Sequence, residues 1–144
     1  AAHVRVCDDT ALFGLPEGQR GIFVGGGGTV RIQRVVGTTV MMDMMLTGRL
    51  LTAAEGLQEK VIRYVTPAGE ALAKAKELAH RIAKNSVETN WMIINVLPRI
   101  HDMSHDDGLF VEQLNSARAR PPEAEARLRE FVDGKAKKLQ DNQA

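Results

Sequence analysis

One carboxylate, Glu17, stands where this sequence can do acid–base chemistry. It follows an apolar run, Ala11 to Leu15, that reads as a short buried strand, and then Pro16, which ends strand pairing because it has no N–H to give. A carboxyl group that transfers protons needs an apolar pocket around it, and Leu15, Ile22 and Phe23 are of the types to furnish such walls. The competing reading, a solvated carboxylate after a proline, is the favourite on composition alone. Farther along, four consecutive glycines, Gly25 to Gly28, allow close backbone approach to a substrate or a water. They are not a phosphate loop: no lysine stands in the P-loop position, and Val30 occupies the third glycine of G-x-G-x-x-G. Other reactive types are weaker candidates. Asp8 and Asp9 read as a solvated turn rather than metal ligands. His101 and His105 are four apart with acids beside them, but H-E-x-x-H is absent, so a polar turn between helices is expected and no metal is assigned. Cys7 has no base near it and reads as a small buried hydrophobe.

The elements that must position these groups are short strands and short helices. His3 to Val6 reads as a strand, and Ala11 to Leu15 as the next. Thr29 to Val36 reads as a short helix capped by Thr29 and closed by Gly37, with Val30, Val35 and Val36 inward and Arg31 and Arg34 toward solvent. Val40 to Leu46 is a second helix; Met41, Met44 and Met45 fall at helical spacing and read as adaptable core, with Gly48 as the C-cap. Thr52-Ala53-Ala54-Glu55 is a capping box, and Val61 to Val65 is a final strand. Beyond Pro67 the pattern is wholly helical. Ala71, Ala75, Leu78 and Ile82 share one face, with Asn85 as a cap; Ser86 opens a helix carrying Trp91, Ile94 and Leu97 that Pro98 kinks or ends. Leu109, Leu114 and Ala117 lie on another helix, which Pro121-Pro122 breaks, and Ala124, Leu128 and Phe131 mark the last one before a basic tail. The expected division is an α/β part over 1–66 and a helical part over 67–144.

Four pieces of this pattern resemble the crotonase family, the enoyl-CoA hydratases and isomerases. They are Phe13-Gly14-Leu15-Pro16-Glu17, Val24-Gly25-Gly26-Gly27-Gly28-Thr29, Val35-Val36-Gly37 and Leu46-Thr47-Gly48, in the family's order and at its spacing. The resemblance covers nearly all of this chain and about the C-terminal half of a family member. It implies an α/β fold, the C-terminal part of a spiral of ββα units (residues 1–66), followed by a helical oligomerisation region. It also implies an acyl-CoA substrate with no separate cofactor, and Glu17 as general acid/base. Gly25 is then the residue whose N–H meets the attacking water. Leu15, Ile22, Phe23 and Val24 become candidate walls of an acyl pocket, Val24 standing where the family usually has proline. Near the C-terminus, Phe131 matches a family phenylalanine that reaches coenzyme A. Gly134 holds the position of a family lysine, so Lys135 either substitutes for it or is ordinary basic tail. Lys60 stands where the family has a glycine, which would strain it if the backbone is left-handed there.

Hydration of a 2-trans-enoyl-CoA is the reaction expected first, with isomerisation, a lyase step or an inactive oligomerisation module left open. The family's oxyanion-hole donors and second glutamate match no residue of this chain, so the 144-residue chain alone is expected not to turn over. A homotrimer, or two stacked trimers, is expected of the longer protein. Hydrophobic content of 44% and charged content of 26% describe an ordinary globular composition. The net charge of +1, with Lys and Arg scattered, argues against nucleic acid as a partner. The longest apolar run, Val40 to Leu46, is too short for a membrane span and is interrupted by Asp43. A single cysteine fits a reducing compartment, hence a cytoplasmic location.

Overall fold

A computed structural model describes residues 2–118 and 122–135. The chain forms two compact units, Ala1–Ile82 and Ala83–Ala144.

In the first unit, strand β1 (Val6–Asp8) pairs in parallel with β4 (Tyr64–Thr66), placing Val6 opposite Tyr64 and Cys7 opposite Val65. Strand β2 (Leu12–Phe13) pairs antiparallel with β3 (Leu51–Thr52). Between them lie helices α1 (Gly28–Val36) and α2 (Thr38–Thr47), and α3 (Ala53–Gln58) follows β3 directly. Helix α4 (Ala71–Ile82) packs against β1 and β4 and belongs to this unit. The core gathers Leu15, Val24, Met41, Met44 and Leu51, with Phe13, Ile32, Val36, Val40, Met45 and Val61 around it. The methionine stripe is therefore core, as its spacing predicts.

The strand within Ala11–Leu15 is shorter than its apolar run, and two others are displaced along the chain. The strand expected over His3–Val6 runs instead over Val6–Asp8, and the preceding Arg5 donates through its side chain to the carbonyls of Lys60 and Val61. The strand expected over Val61–Val65 likewise begins at Tyr64. Lys60 is left-handed, with φ of 65°, and the Arg5 bonds hold its carbonyl and the next one. Helix α1 starts one residue before Thr29. Its N-cap is Gly27, at φ of 82° and with no side-chain cap, so glycine conformation replaces the expected Thr29 hydroxyl. Val30 is exposed, and Ile32, four residues before Val36, takes the inward position. The Thr52–Glu55 capping box is formed reciprocally.

The second unit is helical: α5 (Val87–Asn95), α6 (Leu97–Ile100), α7 (His105–Arg118) and α8 (Pro122–Val132). Ser86 caps α5 by accepting from the Thr89 N–H. Pro98 sits in the first turn of α6, so it separates two helices rather than kinking one. Asn85 does not close α4, which ends at Ile82; its side-chain amide donates to the Asn90 side chain instead. His105 opens α7, and only 101–104 form the turn expected there. The basic tail beyond Lys135 lies outside the described residues. Among those described, no helix is long and apolar enough to cross a membrane.

Candidate functional site

Glu17 is placed by a strand that stops and a turn that docks. Past β2, Gly14 lets the chain run against Leu50, whose Cδ2 would lie 2.5 Å from a Cβ at that position. Leu15 then turns into the core and Pro16 ends the pairing. Glu17 opens a single 3-10 turn, Gly18–Arg20, its carbonyl accepting from the N–H groups of Arg20 (3.0 Å) and Ile22 (3.1 Å). The turn is seated on the end of α2. Gly18 abuts the Met45 carbonyl too closely for any side chain, and Gln19 donates to the Thr47 carbonyl at 3.3 Å. So held, the Glu17 carboxylate is partly buried, and its Oε2 is shielded from solvent with no hydrogen-bond partner. Buried polar atoms in folded proteins are nearly always satisfied, so an orphaned carboxylate oxygen calls for a reason outside the fold.

The glycine loop follows. Val24 is buried in the core and its Cγ1 would lie 2.5 Å from a Cβ at Gly28, so that glycine is needed for close packing. Gly26 and Gly27 both have positive φ, 63° and 82°, where other residues are strained. The Gly28 N–H donates to the Gly25 carbonyl at 3.0 Å, and Gly25 itself is exposed. Arg31, read from sequence as solvent-facing, instead folds back and donates through Nη2 to the Gly26 carbonyl. The available signal was its place in the first turn of a helix that opens on glycines, within reach of the loop carbonyls.

Of the expected pocket walls, Leu15 and Val24 are core residues, whereas Ile22 and Phe23 are exposed, Phe23 at 80%. Phe23 lines an open apolar cavity of about 170 Å³ with Thr29, Gln33, Met41, Met42 and Met45. Sequence reasoning assigned Met41 and Met45 to the core alone, and they do both, whereas Met42 is exposed. Phe131 and Lys135 lie in the second unit. Phe131 lines an open groove of about 530 Å³ with Ser86, Thr89, Arg127 and Leu128, and the Lys135 ammonium sits 3.5 Å from Asp133.

The weaker candidates find structural roles. Asp8 accepts from the N–H and hydroxyl of Thr10 and from the Gly69 N–H, and these bonds, the Thr10 hydroxyl foremost, hold its carboxyl below the usual range. The Cys7 thiol is pushed up by burial and then by Asp8 and Asp9, which opposes thiolate formation. Among the described residues, no three His, Cys, Asp or Glu side chains gather as a metal-binding group.

The enoyl-CoA hydratase/isomerase family matches residues 1–118 of this chain, including the Glu17 turn and the glycine loop. The chain belongs to that family. It is 33% identical over 135 residues to the protein named "Probable enoyl-CoA hydratase echA8" of Mycobacterium bovis, covering 92% of this chain and 52% of that one. To a carnitinyl-CoA dehydratase of Salmonella arizonae it is 31% identical, over 84% of this chain and 46% of that protein. A solved structure described as a "putative enoyl-CoA hydratase" of Rhodopseudomonas palustris superposes with a TM-score of 0.87 at 45% identity, over 93% of this chain and 52% of that one. The mixed helix-and-strand fold is thus that of the enoyl-CoA hydratase/isomerase (crotonase) family, and the chain spans about half the length of the curated relatives it matches.

Proposed function

We propose that the protein carrying this chain hydrates a 2-trans-enoyl-CoA reversibly, with Glu17 as general acid/base and the Gly25 N–H holding the attacking water. The observation that carries the reading is the buried, unpartnered Oε2 of Glu17. A carboxylate so placed is kept ready for a proton or a water that arrives with substrate. In hydration, the water oxygen bonds to the β-carbon as one water proton passes to a carboxylate, and the resulting enolate-like thioester then takes a proton at its α-carbon from a carboxyl group, so that H and OH add across the double bond with Glu17 serving as general acid/base. The names of the relatives support hydration over isomerisation, since hydratases and a dehydratase run one reaction in opposite directions. Coenzyme A enters as part of the substrate, so no separate cofactor is needed. Phe23, beside the methionine-lined cavity, is the acyl-pocket wall best supported by geometry. Phe131 and Lys135 are kept as coenzyme A contacts on the resemblance. A trimer or pair of trimers is supported by large apolar side chains left exposed on the second unit, among them Val87, Trp91, Leu97 and Phe110. The single cysteine supports a cytoplasmic location.

The test is loss of the conjugated thioester absorbance of a short 2-trans-enoyl-CoA, with the native polypeptide and its Glu17→Gln variant. Hydration that falls by a factor of about 10² to 10⁴ in the variant is expected for a lost general acid/base. An unchanged rate overturns the reading, and turnover only of a 3-enoyl-CoA replaces it with isomerisation. The 144-residue chain alone is expected to show no turnover; a Glu17-dependent rate from it would refute that expectation.

A further inference from the structure

We infer that Arg31 is the positioning residue of the glycine loop: its guanidinium, folded back from the first turn of α1, holds the loop in the shape that presents the Gly25 N–H. The inference rests on the hydratase reading for its kinetic consequence, but not for the loop geometry.

Four consecutive glycines have more backbone freedom than any other sequence of that length, so a defined loop shape must be imposed from outside. Three bonds impose it here. The Gly25 carbonyl accepts from the Gly28 N–H at 3.0 Å. The Gly26 carbonyl accepts from Arg31 Nη2, and the Gly27 carbonyl accepts from the Arg31 backbone N–H at 3.0 Å. One residue thus ties two successive loop carbonyls, one through its side chain and one through its backbone. Because the C=O of one residue and the N–H of the next point oppositely across a trans peptide, fixing the Gly26 carbonyl toward Arg31 turns the Gly27 N–H the other way, while the Gly28 N–H is held by the Gly25 carbonyl. Val24, buried beneath, anchors the peptide that carries the Gly25 N–H.

The same guanidinium also fills space. Its two terminal nitrogens lie 2.6 Å from where a Cβ at position 27 would stand, so Arg31 lies over Gly27 much as that residue's own side chain would. A planar fork of donors can cover a peptide and bond to its neighbour at once, which a lysine ammonium cannot. Val24 restricts the backbone less than a proline would, so the loop depends more on this clamp.

The test compares Arg31→Met, Arg31→Lys and Glu17→Gln in the native protein. It reads kcat and KM for hydration, together with amide exchange at Gly28 and Arg31, whose N–H groups bond to loop carbonyls. In Arg31→Met, kcat is expected to fall about tenfold or more, as for a small misplacement of a reacting group, with KM little changed. Exchange at Gly28 and Arg31 should rise by a similar factor while the capped Glu55 amide stays protected. Arg31→Lys should be intermediate, and added guanidinium ion should recover part of the lost kcat in Arg31→Met. Wild-type kcat and exchange in Arg31→Met, with Glu17→Gln inactive, would overturn the role of Arg31 alone. If Glu17→Gln keeps its full rate, the hydratase reading has failed, and exchange at Gly28 and Arg31 decides the clamp by itself. Faster exchange at Glu55 as well, in both Arg31 variants, would make Arg31 a support of the fold and overturn its assignment to the loop.

Discussion

Two glutamates in the first unit, Glu17 at the turn that follows β2 and Glu55 at the start of α3, are treated in opposite ways. Every oxygen of Glu55 is used. Oε1 accepts from Arg49 at 2.6 Å, and Oε2 accepts from the backbone N–H and the hydroxyl of Thr52 at 2.8 and 2.9 Å. The Thr52 N–H foremost, then Arg49, then the Thr52 hydroxyl hold its carboxyl at about 2. Glu17 has a buried Oε2 with no partner. One carboxylate is committed to closing a helix end; the other is held in place by its backbone while its side chain is left uncommitted. Folds satisfy their buried polar groups unless function requires otherwise, so the contrast separates a structural acid from a candidate catalytic one within a single unit.

The sharpest way to break the contrast is Glu17→Gln. It should lower hydration by about 10² to 10⁴ while leaving the melting temperature unchanged or raised, because no hydrogen bond to Oε2 is lost. Glu55→Gln should do the reverse, lowering the melting temperature with kcat unchanged. A kinetic defect from Glu55, or a stability defect from Glu17 with normal kinetics, would dissolve the distinction. Next in size, Thr52→Ala removes the hydroxyl that accepts from the Glu55 N–H, and should cost about 1 kcal/mol in a denaturant titration.

The pH dependence follows from the same bonds. The carboxyl of Glu55 is depressed in the folded chain, from an ordinary value near 4.5 to about 2. Its contribution to stability is therefore fully present above the ordinary value and is lost as pH falls toward about 2. Thermal melts of wild type and Glu55→Gln should differ at pH 6 and converge over that window; a constant difference would mean that the charge is irrelevant to the cap. The smallest expected effect is at Lys60, beyond the far end of α3. Its left-handed backbone costs a non-glycine residue about 1–2 kcal/mol. Lys60→Gly removes that strain but adds unfolded-state freedom, so a net gain of up to about 1 kcal/mol is expected. A loss instead would show that the added unfolded-state freedom outweighs the strain relieved.

Local features were legible in the sequence where a local rule governs them. The Thr52–Glu55 box, the Ser86 cap and the Gly37 and Gly48 helix ends each depend on a few neighbouring residues, and each is present; the left-handed Lys60 was reached only through the glycine that the family resemblance puts there. Strand limits were not legible. The run Ala11–Leu15 pairs only over Leu12–Phe13, because pairing depends on β3, some forty residues away, and not on the run's own hydrophobicity. The glycine loop was legible as a place of close approach, but Arg31 was not legible as its clamp. An exposed arginine on a helix reads as solvated until the path of its side chain is known.

The sequence by itself determined which residues are candidates for chemistry and which family they resemble, because side-chain type and short-range order are written directly in the chain. It also determined most helix ends, since caps are interactions between residues three or four apart. Only the tertiary structure decided that β1 pairs with β4, a contact between segments more than fifty residues apart in the chain. Tertiary structure also decided that Leu15 and Val24 face the core while Phe23 faces a cavity, and that Glu17 keeps one oxygen buried and unpartnered. Burial and satisfaction are properties of what surrounds an atom, and those surroundings come from parts of the chain that no local pattern names.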